Sequence, residues 1–323
     1  MNRIVPGNRP DPRTAPPTPL KPSGTFGGHL LANRYLYLML VPALLYYGIF
    51  HYYPMYGAII AFKEYSFSKG ILGSPWVGLK NFDYLFGLDK FWDVFRNTIV
   101  ISLYRLAFGF PLPIAVALLL NEVRVRAFKR TVQTVIYLPH FISWVILGGL
   151  LINLLSTDGG VVNKIIQAFG GEPVGFLSSE DHFRGTLVWS MIWKEFGWNT
   201  IIYMAALAGV NPQLYEAAVM DGANRWRQIR HITLPCIRGT IVVLLLLRIG
   251  SMMEAGFEQI FVLYHPAVYS VSDIIDTYVY RIGLTEGRFS LAAAVGLFKS
   301  VINFALLVVA NKLARMMGEQ GVY

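Results

Sequence analysis

Residues 216–235 read EAAVMDGANRWRQIRHITLP, a polar, helix-forming insert between two long apolar segments. Just upstream, Asn211 offers a good helix cap and Pro212 is tolerated in the first helical turn, while Gly222 stands where a helix can bend or stop. The spacing predicts two short helices joined at that glycine. In the second, Ala223, Trp226, Ile229 and Ile232 recur at roughly helical intervals, an apolar stripe beside Arg225, Arg227, Arg230 and His231. An amphipathic element held outside the apolar phase is one that another surface must grip.

The flanking segments set the fold class. Of 323 residues, 54% are hydrophobic and 15% charged, with a mean hydropathy of +0.47. That leaves too little polar surface for a soluble globule. A span needs about 20 apolar residues to cross a hydrocarbon core of about 30 Å. Six stretches qualify, at about 35–62, 97–120, 132–155, 186–209, 238–263 and 289–311, so the expectation is an all-α polytopic membrane protein with six transmembrane helices. Pro42, Pro111, Pro113 and Pro139 lie in or beside these stretches and predict kinks.

A net charge of +9 raises the question of nucleic acid, and its distribution answers it. With a cytoplasmic amino terminus, the stretches on that side carry fifteen basic residues, among them Arg124, Lys129, Arg225 and Arg230, against five acidic ones. The opposite side carries nine basic and eleven acidic residues. The positive-inside rule then places both termini and the 216–235 loop in the cytoplasm, and the basic character is a topology signal with no nucleic acid implied. Residues 1–34 hold seven prolines and read as an extended or mobile tail ahead of one membrane domain, 35–323, whose loop occupies 211–235. Cys236 is the sole cysteine, so no intrachain disulfide forms. On the outer side, Phe82, Leu85, Phe86, Phe91, Trp92 and Phe95 predict short interfacial helices, either an aromatic belt or a surface for an external partner.

The loop carries a family resemblance. Glu216, Ala217, Ala218, Asp221, Gly222, Ala223, Ile232, Leu234 and Pro235 resemble, at fixed spacing, the cytoplasmic coupling loop of membrane subunits in binding-protein-dependent ABC importers; Ile229 stands where that family often has Phe. The resemblance extends from about residue 35 to the end, and residues 273–297 also resemble a subgroup that handles complex or acidic oligosaccharides such as alginate fragments. It implies a type I permease fold that encloses a pathway with a second permease subunit. A solute-binding protein would serve the outer face, and two ATPase subunits carrying ATP and Mg would serve the inner face of a bacterial cytoplasmic (inner) membrane.

The chain has no phosphate-cradling G-x-x-x-x-G-K-[ST] loop, no H-E-x-x-H helix, no C-x-x-C pair and no G-x-S-x-G elbow. It is expected to be no enzyme and to hold no cofactor or metal of its own. Charges inside spans are the second place to look, since each costs about 2.5–3.5 kcal/mol on insertion scales and faces protein or water. Arg105, Lys194, Glu195, Arg248, Glu254, Glu258 and Lys299 qualify, with polar Asn199 and the aromatic residues Trp198 and Phe257. Glu254 and Glu258, four apart, are expected on one helix face; Lys194 and Glu195, adjacent, are expected to diverge. Two readings stand for this set: a wet cavity in which polar groups and aromatic faces hold a sugar, or ion pairs and snorkelling cations that brace the helices. A rival class, a secondary transporter, would couple cargo to an ion gradient through Glu254 and Glu258.

Overall fold

The computed structural model describes residues 33–316 and residue 318, so the proline-rich tail lies, but for residues 33 and 34, outside the described residues. The chain divides into two compact units, Met1–Tyr56 and Gly57–Tyr323. Every regular element among the described residues is helical, with one isolated antiparallel bridge between Lys63 and Trp76.

The first long helix, α1 (Arg34–Phe62), runs through Pro42 without a break. It widens into a π turn at Gly48–Tyr52, two residues ahead of Pro54. The same device recurs at Ile229–Thr233, two residues ahead of Pro235. A proline ring collides with the carbonyl four residues back, Phe50 for Pro54 and His231 for Pro235; a widened turn moves that carbonyl aside and lets the helix continue. Two other prolines coincide with interruptions: a single residue, Phe110, separates two helices ahead of Pro111, and a 3-10 turn, Leu138–Phe141, surrounds Pro139.

From Gly57 onward the α-helices of six residues or more are α2 (Lys80–Phe86), α3 (Asp89–Gly109), α4 (Pro111–Glu122), α5 (Arg126–Tyr137), α6 (Trp144–Leu155), α7 (Val161–Ala168), α8 (Glu180–Ala208), α9 (Pro212–Met220), α10 (Arg225–Gly250), α11 (Phe257–Leu263), α12 (Ile275–Tyr280) and α13 (Phe289–Met316). Among the described residues, four helices are long and apolar enough to cross a membrane: α1, the α3–α4 rod over Asp89–Glu122, α10 and α13. The expected 132–155 span is instead a pair, Arg126–Phe141 and Trp144–Leu155, bent by 101°, and makes a fifth if counted as one span. The fourth expected span, 186–209, falls on α8, whose 29 residues reach about 43 Å. It is more polar because it lies at the centre: Phe183 and Leu187 join one core with Ile101, Ile260 and Ile274, and Tyr203 and Leu207 join another with Ala117 and Ile237.

The fifth span differs most from expectation. It begins at Arg225 and ends at Gly250, where 238–263 was expected; six residues of turn follow, and α11 starts afresh after Gly256. Gly256 adopts φ +88°, the left-handed region that favours glycine.

The segment after α11 is fastened by a buried carboxylate. Asp273 is fully buried, and its oxygens accept hydrogen bonds from Arg281 (2.5 and 3.3 Å) and Thr277 (2.9 Å), with Lys90 Nζ at 3.7 Å. Its own carbonyl accepts from Asn97, whose Oδ1 accepts from Arg184. Burial works against the Arg281 cation, but the Asp273 hydrogen bond and charge outweigh it and raise its pKa. Burial, seconded by Tyr269, pushes the Tyr264 phenol up to about 12.

Candidate functional site: a charged cleft and an exposed loop helix

The loop folds as its sequence dictates at its start and departs from it at its end. Asn211 caps α9, its side chain accepting from the amide of Gln213 at 3.0 Å. Gly222, at φ +73°, ends the helix, and the Ala223 amide reaches back to the Ala218 carbonyl at 2.8 Å, a glycine-terminated cap. Asn224 then caps the next helix by accepting from the Arg227 amide at 2.9 Å. The second helix is not short. It is the first turn of α10, so Ile229, Ile232, Leu234 and Pro235 sit on the base of a span.

Exposure along the loop departs from the expected stripe. Ala223, Ile229 and Ile232 are half-buried against the chain, whereas Trp226 is 70% exposed. Leu214, Val219 and Met220 (87% exposed) also stand open on the loop surface, alongside exposed Glu216, Ala217 and Asp221; Ala218 is half-buried. Leu214, Val219 and Met220 follow no i, i+3, i+4 spacing on the nine-residue helix, so periodicity does not mark them.

Beneath this surface the loop is braced. Tyr215 Oη lies 3.0 Å from Thr233 Oγ1, which donates to the Gln228 carbonyl at 3.3 Å. Buried Gln228 donates to the Ala223 carbonyl at 2.9 Å, and Arg225 lies 3.5 Å from Glu122 at the end of α4. A load on α9 therefore passes to the bases of α10 and α4.

The other end of α10 carries Arg248, 23 residues and about 35 Å away along the helix. It lines a cleft of ≈ 110 Å³ with Glu195, Asn199, Phe110, Met191 and Tyr203. Three candidates drawn from two spans, Glu195 and Asn199 from α8 and Arg248 from α10, thus meet. Lys194 and Glu195 do not diverge: Lys194 Nζ stands 3.8 Å from Glu195 Oε1, because the buried lysine turns to donate to the His140 carbonyl at 2.7 Å while Glu195 reaches His140 Nδ1 at 3.1 Å. The His140 ring stacks on Trp198 at 4.4 Å, so that indole covers histidine in this chain. His140 was legible only through the bend at Pro139, which turns it toward α8.

The remaining candidates separate. Glu254 lies in the turn after α10 and Glu258 in the first turn of α11, both exposed, so the break at Gly256 removes their common helix face. Phe257 packs with Phe261 and Tyr280 at 5.2 and 5.8 Å. Lys299 Nζ donates to Asp276 at 2.5 Å, the bracing arrangement between α13 and α12.

The sequence marks Arg105 as an intramembrane charge but carries no sign of its surroundings. It is buried, donates to Gln259 Oε1, and packs against Gly256; Gln259 in turn donates to the Leu187 carbonyl and Ser190 Oγ, each at 2.8 Å. Among the described residues no carboxylate forms a salt bridge with it.

A polytopic helical bundle with an intramembrane polar cleft and a braced apolar loop helix defines a membrane-spanning transport subunit. The chain belongs to the family of binding-protein-dependent transport system inner membrane components, which matches residues 109–318. It is 51% identical over 294 residues to the polygalacturonan/rhamnogalacturonan transport system permease protein YteP of Bacillus subtilis (strain 168), covering 91% of this chain and 92% of that one. It is 48% identical to Protein LplB of the same organism, with the same coverage. Among solved structures it resembles a chain of a bacterial alginate ABC transporter crystallised with an alginate pentasaccharide-bound periplasmic protein, at TM-score 0.86 and 42% identity over 92% of this chain and 99% of that one. The type I permease fold expected from the loop is the fold of this chain.

Proposed function

We propose that this chain is one of two permease subunits of an ATP-driven importer of oligosaccharides rich in uronic acid, and that the loop at 211–235 is where an ATPase subunit takes hold. The observation that carries the reading is the pairing, on one helix, of an exposed docking surface with a cleft cation: α10 begins in the loop at Arg225 and reaches the cleft at Arg248. The names of the similar proteins, a polygalacturonan/rhamnogalacturonan permease and an alginate transporter, support the cargo class.

In this reading two separate ATPase subunits bind ATP and Mg and hydrolyse the nucleotide; this chain supplies no catalysis. Closure of those subunits draws the docked α9 helices together. Because Tyr215, Thr233 and Gln228 tie α9 to the base of α10, the motion is passed on as rigid-body displacement, which costs less than bending a packed helix. A solute-binding protein delivers cargo at the outer face, where the 264–288 segment would lie with both termini in the cytoplasm. The lipid is that of a bacterial inner membrane.

Proteoliposomes holding the complete importer test this. Uptake should need internal or external ATP on the side of the loop, and should persist when proton and sodium gradients are collapsed. Uptake that follows the gradients and ignores ATP would instead favour the secondary-transport class and its exposed Glu254 and Glu258.

A further inference from the structure

Two arginines that form no salt bridge among the described residues, Arg105 and Arg248, meet beside the break between α10 and α11. Arg105 and Arg248 both line a small void of ≈ 10 Å³ with Ser102, Ser251 and Glu254, and Arg248 also lines the larger cleft. The buried Nε of Arg105 and Oγ of Ser102 have no hydrogen-bond partner among the described residues. A buried donor left without an acceptor is uncommon and marks a place where a ligand or water completes the set. The void holds about one water, too little for a sugar. The accessible cation is therefore Arg248, exposed toward the cleft, with the Arg105 charge fixed behind it.

The acidic groups near this pair do not cancel it. Glu195 already faces Lys194 and His140, and Glu254 is exposed and makes no salt bridge among the described residues. Lys194, Arg105 and Arg248 thus stand against Glu195 and Glu254, a local excess of positive charge at membrane depth. A guanidinium presents two parallel donors matched to a carboxylate, and in a water-poor setting that pairing is stronger than a hydroxyl contact.

We propose that Arg248, backed by Arg105, is the specificity-determining group that receives a carboxylate of the cargo on its way through the cleft. This rests on the reading of the chain as an oligosaccharide permease. It goes further in assigning the preference for uronate over neutral sugar to a named side chain of the membrane subunit, in addition to any selection by the binding protein. Asn199, on the same cleft wall, is placed to meet sugar hydroxyls beside that carboxylate.

The test uses the complete importer in proteoliposomes with ATP, comparing trigalacturonate with its methyl ester, which keeps every hydroxyl and loses the charge. Arg248→Gln should lower uptake of the acid about tenfold or more relative to the ester. Arg248→Lys should fall between Gln and wild type, since it keeps the charge and loses the fork. Equal loss of both cargoes, or loss of neither, overturns the assignment. Failure of the wild type to take up either cargo would instead defeat the underlying reading of the substrate. Direct titration of trigalacturonate and of neutral trigalactose into the detergent-purified importer, with no binding protein present, covers the case in which the ester is not delivered. There Arg248→Gln should weaken binding of the acid by a similar factor and leave the neutral sugar unchanged; acid binding unaltered by the substitution overturns the assignment.

Discussion

The guanidinium of Arg105 lies directly against the Cα of Gly256, leaving no room for a Cβ between them. Arg105 comes from α3 and Gly256 from the break that ends the fifth span, so this contact sets how the α10–α11 turn seats on the bundle. A side chain at 256 faces two penalties, the left-handed φ of +88° and collision with a buried cation. Gly256→Ala should destabilise by about 2–4 kcal/mol, read as a lower thermal midpoint of the purified assembly. An unchanged midpoint would contradict the contact.

Asp273 is fully buried and holds Arg281, Thr277 and, at longer range, Lys90. Asp273→Asn keeps the shape and removes the charge, leaving the half-buried Arg281 without its counter-ion. Loss of about 2–3 kcal/mol is expected, with faster proteolysis within 264–288. Pairing the change with Arg281→Leu should recover part of that loss, and failure to recover any would show that the two residues act separately.

Lys299 and Asp276 brace α13 against α12 at 2.5 Å. If that is their role, Lys299→Ala and Asp276→Ala should cost stability to similar extents, and the double variant should cost little more than either. The coupling expected for a partly exposed pair is about 1 kcal/mol. Full additivity, or a transport defect in Lys299→Ala without a stability change, would return Lys299 to the pathway.

Sequence reading reached the fold class through composition and reached the loop through its cap, its glycine and its fixed spacing, all local properties. It missed where span five begins and ends because a hydropathy window cannot register a π turn that absorbs Pro235, or a glycine whose left-handed backbone restarts the helix. The second of these, the break at Gly256, takes Glu254 and Glu258 off a common face. Glu195, Asn199 and Arg248 were legible singly as charges or polar groups in apolar surroundings. Their meeting in one cleft depends on how α8 and α10 pack, which no periodicity encodes. Nothing local marks Asp273: a carboxylate in a stretch expected at the surface gives no sign that it will be buried against Arg281, eight residues on.

Burial raises the Tyr264 phenol to about 12, above the ordinary value of 10, with Tyr269 adding to the effect. A folded-state pKa raised above the unfolded one gives stability that is complete below pH 10 and is lost as pH climbs through about 12. Alkaline unfolding, followed by circular dichroism, should therefore begin within this window. Tyr264→Phe cannot ionise and should shift the transition to higher pH; an identical alkaline midpoint would remove Tyr264 as a contributor.

The central claim is that the α9 loop is the handle by which an ATPase moves this subunit. With the exposed Cys236 replaced by serine, a cysteine placed at Met220 allows the most direct measurement: crosslinking to partner subunits in membranes that are actively transporting. The account predicts a crosslink to the ATPase subunit, at a yield that changes between the nucleotide-free and ATP-trapped states. Transport proceeding at wild-type rate with Met220→Cys joined to no other polypeptide would contradict it.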